Sequence, residues 1–234
     1  MIKGYCKQSI HMGIIFAGFL GLFTTGCVLG VTKAKVNHNQ LDHVENKKEG
    51  NILVKQFTDG RKDTQYIGNK RNAFNAVMGH IGTEEGVKLE VLLTKYFAEA
   101  LKEAGYNAVV QEPGSADKTS QVKFDALLDG EILEFWMDMY WSAWHVVTVK
   151  VKAVNLATKN ILWEKEIRGE GKIDTCFGTK SEYENVINLA LTKALNQAVK
   201  EFSSEEFHKT IKEKAEPEKL QKSSGNMLYT EDVT

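Results

Sequence analysis

Residues 13–23, Gly-Ile-Ile-Phe-Ala-Gly-Phe-Leu-Gly-Leu-Phe, form an uncharged apolar run that closes on Thr24, Thr25, Gly26 and Cys27. Lys3 and Lys7 precede it, and the first acidic residue of the chain is Asp42. A basic start, a short apolar core and small residues are the pattern of an export signal. The run is too short to cross a bilayer as a helix, which needs about 20 residues. Gly13, Gly18, Gly21 and Gly26 also penalise a stable buried helix there. The chain therefore divides into a leader, 1–26, and a part that folds.

Small residues before a cysteine resemble the lipobox of bacterial lipoproteins. Gly26 and Thr25 match that pattern, and Thr24 departs from it, since an aliphatic residue is usual there. The resemblance implies that Cys27 receives a diacylglyceryl group and becomes the first residue of the processed chain. Two or three acyl chains suffice for stable anchoring. Val28 stands where an aspartate would signal inner-membrane retention, so the resemblance points to the periplasmic face of the outer membrane.

Lys3 and Lys7 leave with the leader, so 30 basic groups become 28 against 31 acidic ones, a net charge of −3. That balance argues against a nucleic-acid partner, which needs a basic face. The three cysteines are Cys6, Cys27 and Cys176. With Cys6 removed and Cys27 committed to lipid, Cys176 is left without an internal disulfide partner. Stability then has to come from the core.

Residues 27–50 are polar and without period, and read as a flexible tether. His38 and His43 within it lack the accompanying ligands of a metal site. Asn51–Phe57 reads as a first strand. The next stretch, 58–82, reads as a long irregular loop. Loops of that length are commonly functional, which makes Asp59 and Arg61 candidate partner-binding residues.

Residues 83–104 show helical spacing in Leu89, Leu93, Tyr96, Phe97, Ala100 and Ala104, with Thr83 as cap and Gly105 as stop. A strand over 106–111 follows, giving a parallel pair through a crossover. Long strands are expected at 124–137, 144–154 and 161–168. If the last two pair so that residue numbers sum to 316, Lys152 faces Glu164 and Lys150 faces Glu166. Ala153 then meets Trp163 and Val149 meets Ile167. Charges paired on one face and apolar residues on the other would fix the register.

Ser181–Glu184 and Ser203–Glu206 read as capping boxes for a long and a short helix. The fold class is α+β: one mixed, mostly antiparallel sheet of about five strands, with two long helices packed on one face. The domain spans 51–203, and 204–234 is a short helix and disordered tail.

This order resembles the YajG-like family of bacterial lipoproteins. The likeness lies in a helix ending Ala104-Gly105-Tyr106, the long strands around 133–154, and a closing helix running into Ser204–Lys209. It covers roughly 51–214 and implies fold and location, not chemistry.

Phe135, Trp136, Tyr140, Trp141 and Trp144 crowd one hairpin, which holds three of the four tryptophans. They either close the end of the core or form an exposed patch. As a patch, Trp136, Tyr140, Trp141 and Trp144 suit a protein or envelope partner. Their differing strand parity favours at least one exposed ring. Cys176 with His145 or His208 is the only thiol–imidazole option, and no spacing supports it. No phosphate loop or zinc spacing occurs. The reading is a non-enzymatic, membrane-anchored interaction module without cofactor or metal. The alternative is a carrier of a small apolar or lipid ligand held between sheet and helices.

Overall fold

The computed structural model describes residues 30–72, 74–111, 122–174 and 178–213. Cys27, Cys176 and the 214–234 tail lie outside them. The strands are β1 (Val31–Ala34), β2 (Asn51–Val54), β3 (Thr58–Asp59), β4 (Gly68–Arg71), β5 (Val77–Thr83), β6 (Asn107–Val110), β7 (Ala126–Met139), β8 (Ser142–Val154) and β9 (Ile161–Asp174). The helices are α1 (Leu89–Glu103), α2 (Lys180–Phe202) and α3 (Glu205–Glu213). The fold is α+β with one mixed sheet, as expected, but the described sheet has nine strands rather than about five.

The excess comes from one edge of β7. The chain over 52–70 runs parallel to β7 in three pieces: β2 along 126–128, β3 along 131–132 and β4 along 137–139. Residues 60–67 leave the ladder between β3 and β4. The other edge of β7 holds β8, and β8 holds β9, both antiparallel. On β7 itself the short strands pair parallel and the long β8 antiparallel, while the short β4 and β5 pair antiparallel with each other. The stretch 58–82, expected as a loop, contributes three strands to the sheet.

The β8–β9 register is the one the charge alternation specifies: Lys152 opposite Glu164, Lys150 opposite Glu166, Ala153 opposite Trp163 and Val149 opposite Ile167. Glu164 takes both cations: Lys152 directly across at 3.6 Å and Lys150 on the diagonal at 2.9 Å. Ala126, Leu128 and Ile132 of β7 and Val147, Val149 and Val151 of β8 are buried under the helices. α2 lies so close to β9 that a side chain at Gly169 would strike the backbone of Ala190 and Ala194. Glycine there is a packing requirement.

Helix boundaries move from the expected ones. Thr83 ends β5, and its hydroxyl donates to Val87 O in a turn through Gly86, whose φ is 76°. α1 therefore starts at Leu89 without a side-chain cap. The capping box of α2 is Thr179 with Glu182, two residues earlier than the expected Ser181–Glu184. Ser204 caps α3, its oxygen accepting from Phe207 N at 3.2 Å.

The largest correction concerns the tether. Residues 31–50 are built into the domain from β1 onward, and β1 pairs with β5. Beyond it, backbone amides of Lys35, Asn37, Asn39 and Asp42 donate to Glu184, Asn188, Thr192 and Asn196 of α2, at 2.9–3.0 Å. Four residues of helix rise about 6 Å and two residues of extended chain about 6.6 Å. A polar stripe at every fourth helix position therefore matches alternate amides of extended chain at 35, 37 and 39, with Asp42 three residues further on. Val36 is buried, and Leu41 and Val44 pack against the core. His38 binds Glu99 at 3.0 Å and stacks edge-on against Tyr96, which accounts for it without a metal.

A cleft on the open sheet face and an aromatic tip

The six candidate partner-binding residues fall in three places. Arg61 and Trp136 line a cleft on the sheet face opposite the helices, and Asp59 stands beside it in an ion pair with Arg61. Tyr140 and Trp141 form the turn between β7 and β8, and Trp144 stands on the open face between the two.

The cleft encloses about 570 Å³ and is lined by the 60–63 segment together with Leu133, Glu134, Trp136, Thr148 and Arg168. Strand parity builds it. Glu134, Thr148 and Arg168 share one row, and the next row carries Trp136, Val146 and Glu170. A bulge between Ile132 and Glu134 turns Leu133 outward.

Arg61 holds the excursion over this face. Its Nε and Nη2 donate to Asp59 at 2.9 and 2.8 Å, and its Nη1 donates to Tyr66 O and Phe135 O at 3.0 and 3.2 Å. Nη2 also meets Thr64 O at 3.5 Å. Both side chains are largely buried. A forked pair of this kind fixes geometry. On the opposite wall Arg168 donates to Glu134 at 3.2 Å and to Glu170 at 2.8 Å. Glu170 and Glu134 raise its pKa further. The cleft offers an apolar strip with cations on both rims, from Lys62 and Arg168.

The tip is built differently. Phe135 and Met137 point into the core and are buried, whereas Trp141 is 68% exposed, Tyr140 42% and Trp144 36%. Both readings of the aromatic hairpin are therefore realised, divided by parity. Sequence reasoning missed Phe74, 90% exposed at the β4–β5 turn. Its signal was the flanking pair Asn72 and Asn75. Asn72 Oδ1 accepts from Phe74 N and Ala76 N, and Asn75 takes a left-handed φ of 64°. Arg71 clamps the two hairpins together through a forked pair with Asp138, at 2.6 and 3.1 Å.

His145 and His208 lie far apart, and Cys176 lies outside the described residues. His145 is buried in the core, edge-on to Phe135, with neither ring nitrogen hydrogen-bonded among the described residues. Burial, with the nearby Arg61 charge, lowers its pKa to about 3. His208 lies at the opposite end of the sheet, 3.3 Å from the Tyr106 hydroxyl. Among the described residues no three His, Cys, Asp or Glu side chains could hold a metal. No described helix is long and apolar enough to cross a membrane.

No family model matches this sequence, and no curated protein matches it. Solved structures similar in fold include protein XCC0632 of Xanthomonas campestris, of family DUF330, at 11% identity and a TM-score of 0.48 over 73% of this chain and 91% of that one. Lipoprotein GNA1162 of Neisseria meningitidis matches at 15% identity and a TM-score of 0.36 over 64% and 99%. Protein CT253 of Chlamydia trachomatis matches at 8% identity and a TM-score of 0.40 over 65% and 93%. With every score below 0.5, these likenesses carry neither family nor function over to this chain.

Proposed function

We propose that this chain is a lipid-anchored lipoprotein of the cell envelope, without catalytic activity, whose domain binds an envelope partner through the open-face cleft. The carrying observation is Thr24-Thr25-Gly26-Cys27 at the end of an uncharged apolar run, with the first strand opening at Val31. The short distance between the two holds the domain against the membrane rather than lifting it away. Val28 favours the outer membrane, periplasmic face. Intact mass of the processed protein tests the anchor: a diacylglyceryl adduct on Cys27 is expected, and a native N-terminus with unmodified Cys27 ends the reading.

The partner site is tested by photo-crosslinking in whole cells from position 133, whose leucine lies exposed in the cleft. One discrete protein adduct is expected. The second reading, a carrier of a small apolar ligand, is favoured by the cleft's volume and by Leu133 and Trp136 in its wall. Such a ligand would occupy the open face and not the space between sheet and helices, where Leu93, Phe97, Leu128 and Val149 are fully buried. A bound lipid in native mass spectrometry, lost in Leu133→Arg, would select it.

A further inference from the structure

The pairing register fixes which end of the sheet meets the incoming chain. Val31 lies opposite His80, His80 opposite Asn69, Asn69 opposite Asp138 and Asp138 opposite Trp144, one row across the sheet. From Asp138 the β7 strand runs on to Tyr140 and Trp141. From His80 the β5 strand runs back to Val77 and the turn that bears Phe74. β1 is parallel to β5, so the chain enters β1 from this same end. Cys27 is three residues before Gly30, so its sulfur-bearing residue stays within about 11 Å of Gly30 whatever path the chain takes.

We propose that the end of the sheet carrying Phe74, Tyr140 and Trp141 is seated in the headgroup region of the bilayer that holds the Cys27 lipid. This rests on the lipid anchor proposed above. The lipid draws this end to the surface, and the three exposed rings are what it presents there. Trp and Tyr favour the membrane interface because an apolar body and a polar tip are both satisfied at headgroup depth. Tyr140 and Trp141 support one another edge to face, centroids 5.4 Å apart, and the Arg71–Asp138 clamp joins their hairpin to that of Phe74. Seated so, the sheet stands away from the membrane, and the cleft between Lys62 and Arg168 opens sideways to a partner.

The test uses the full processed chain in vesicles of phosphatidylethanolamine and phosphatidylglycerol, with and without brominated phosphatidylcholine, and reads tryptophan emission. Brominated lipid is expected to quench the wild-type protein. Trp141→Phe should remove most of that quenching, whereas Trp144→Phe should keep most of it. Equal quenching of wild type and Trp141→Phe overturns the proposal. A photo-crosslinker at position 141 that captures a protein, or a second copy of this chain, in place of lipid overturns it as well.

The mass of Cys27 in the same sample separates the two readings. With Cys27 unmodified the anchor fails, and quenching on addition to preformed vesicles still decides the tip. The double variant Phe74→Ser/Trp141→Ser should retain wild-type circular dichroism and leave vesicles several-fold faster than the wild type. Unchanged transfer between vesicles counts against the tip.

Discussion

The two ends of the sheet both carry aromatic clusters, and among the described residues only one is covered by a helix. At the far end Trp163, Phe202 and Phe207 pack at centroid distances of 4.9–6.1 Å, with Tyr106 edge-on to Phe207 at 5.6 Å. All four are buried, because α3 folds back over the end of α2 and β9 and inserts Phe207 and Ile211. At the near end Tyr140, Trp141 and Phe74 stand at turns with no described helix over them. Ring content is therefore a poor guide to role. A ring contributes to the core when a neighbouring element removes it from water, and is available to another surface when none does.

Breaking the covered end should have the largest effect. Phe207→Ala is expected to cost about 3–5 kcal/mol, the range for deleting a buried phenyl ring, measured by denaturant unfolding. Next comes the buried imidazole beneath the near end. His145 stays neutral in the fold down to about pH 3, while the unfolded chain takes up a proton near 6.5. Above 6.5 the two states bind equally and the group adds no pH dependence. As pH falls from 6.5 toward 3 the unfolded state binds the extra proton, so stability drops, by up to about 1.4 kcal/mol per pH unit. His145→Phe should flatten that part of the profile and, by removing two unpaired ring nitrogens, leave neutral-pH stability equal or higher.

The stripe on α2 gives a smaller effect. Asn188→Ala leaves the Asn37 amide without its acceptor and should cost about 0.5–1.5 kcal/mol. It should also speed proteolysis within 35–44 relative to the rest of the chain. The smallest effect belongs to the open end: Trp141→Ser should shift stability by no more than about 0.5 kcal/mol, as for surface substitutions generally. A loss comparable to Phe207→Ala would show that the tip is core after all and would erase the contrast between the ends.

Much of the candidate site's material was legible in the sequence, but not its grouping. The crowding of Trp136, Tyr140, Trp141 and Trp144 was visible, and strand parity already required that some rings face outward. What placed Trp136 beside Arg61 was the parallel run of 52–70 along β7, a pairing between segments some 70 residues apart. Arg61 looked like a free charge because its acceptors include Phe135 O, on a strand remote in sequence. Phe74 was passed over because a single aromatic between asparagines has no period.

The sequence by itself determined whatever depends on neighbours along one or two adjacent elements. α1 and α2 follow from apolar residues at helical spacing. The β8–β9 register follows from alternating charge across a short turn, because the paired residues lie in strands joined by that turn. Only the tertiary structure decided the rest. Residues 31–50 look like tether because their partners are polar side chains of α2 roughly 150 residues away. Hydrogen bonds to such partners leave no hydrophobic period in either segment. The short strands β3 and β4 are held by an edge of β7 that their own residues do not specify. Long-range pairing of this kind becomes favourable only once the core has brought the two segments together.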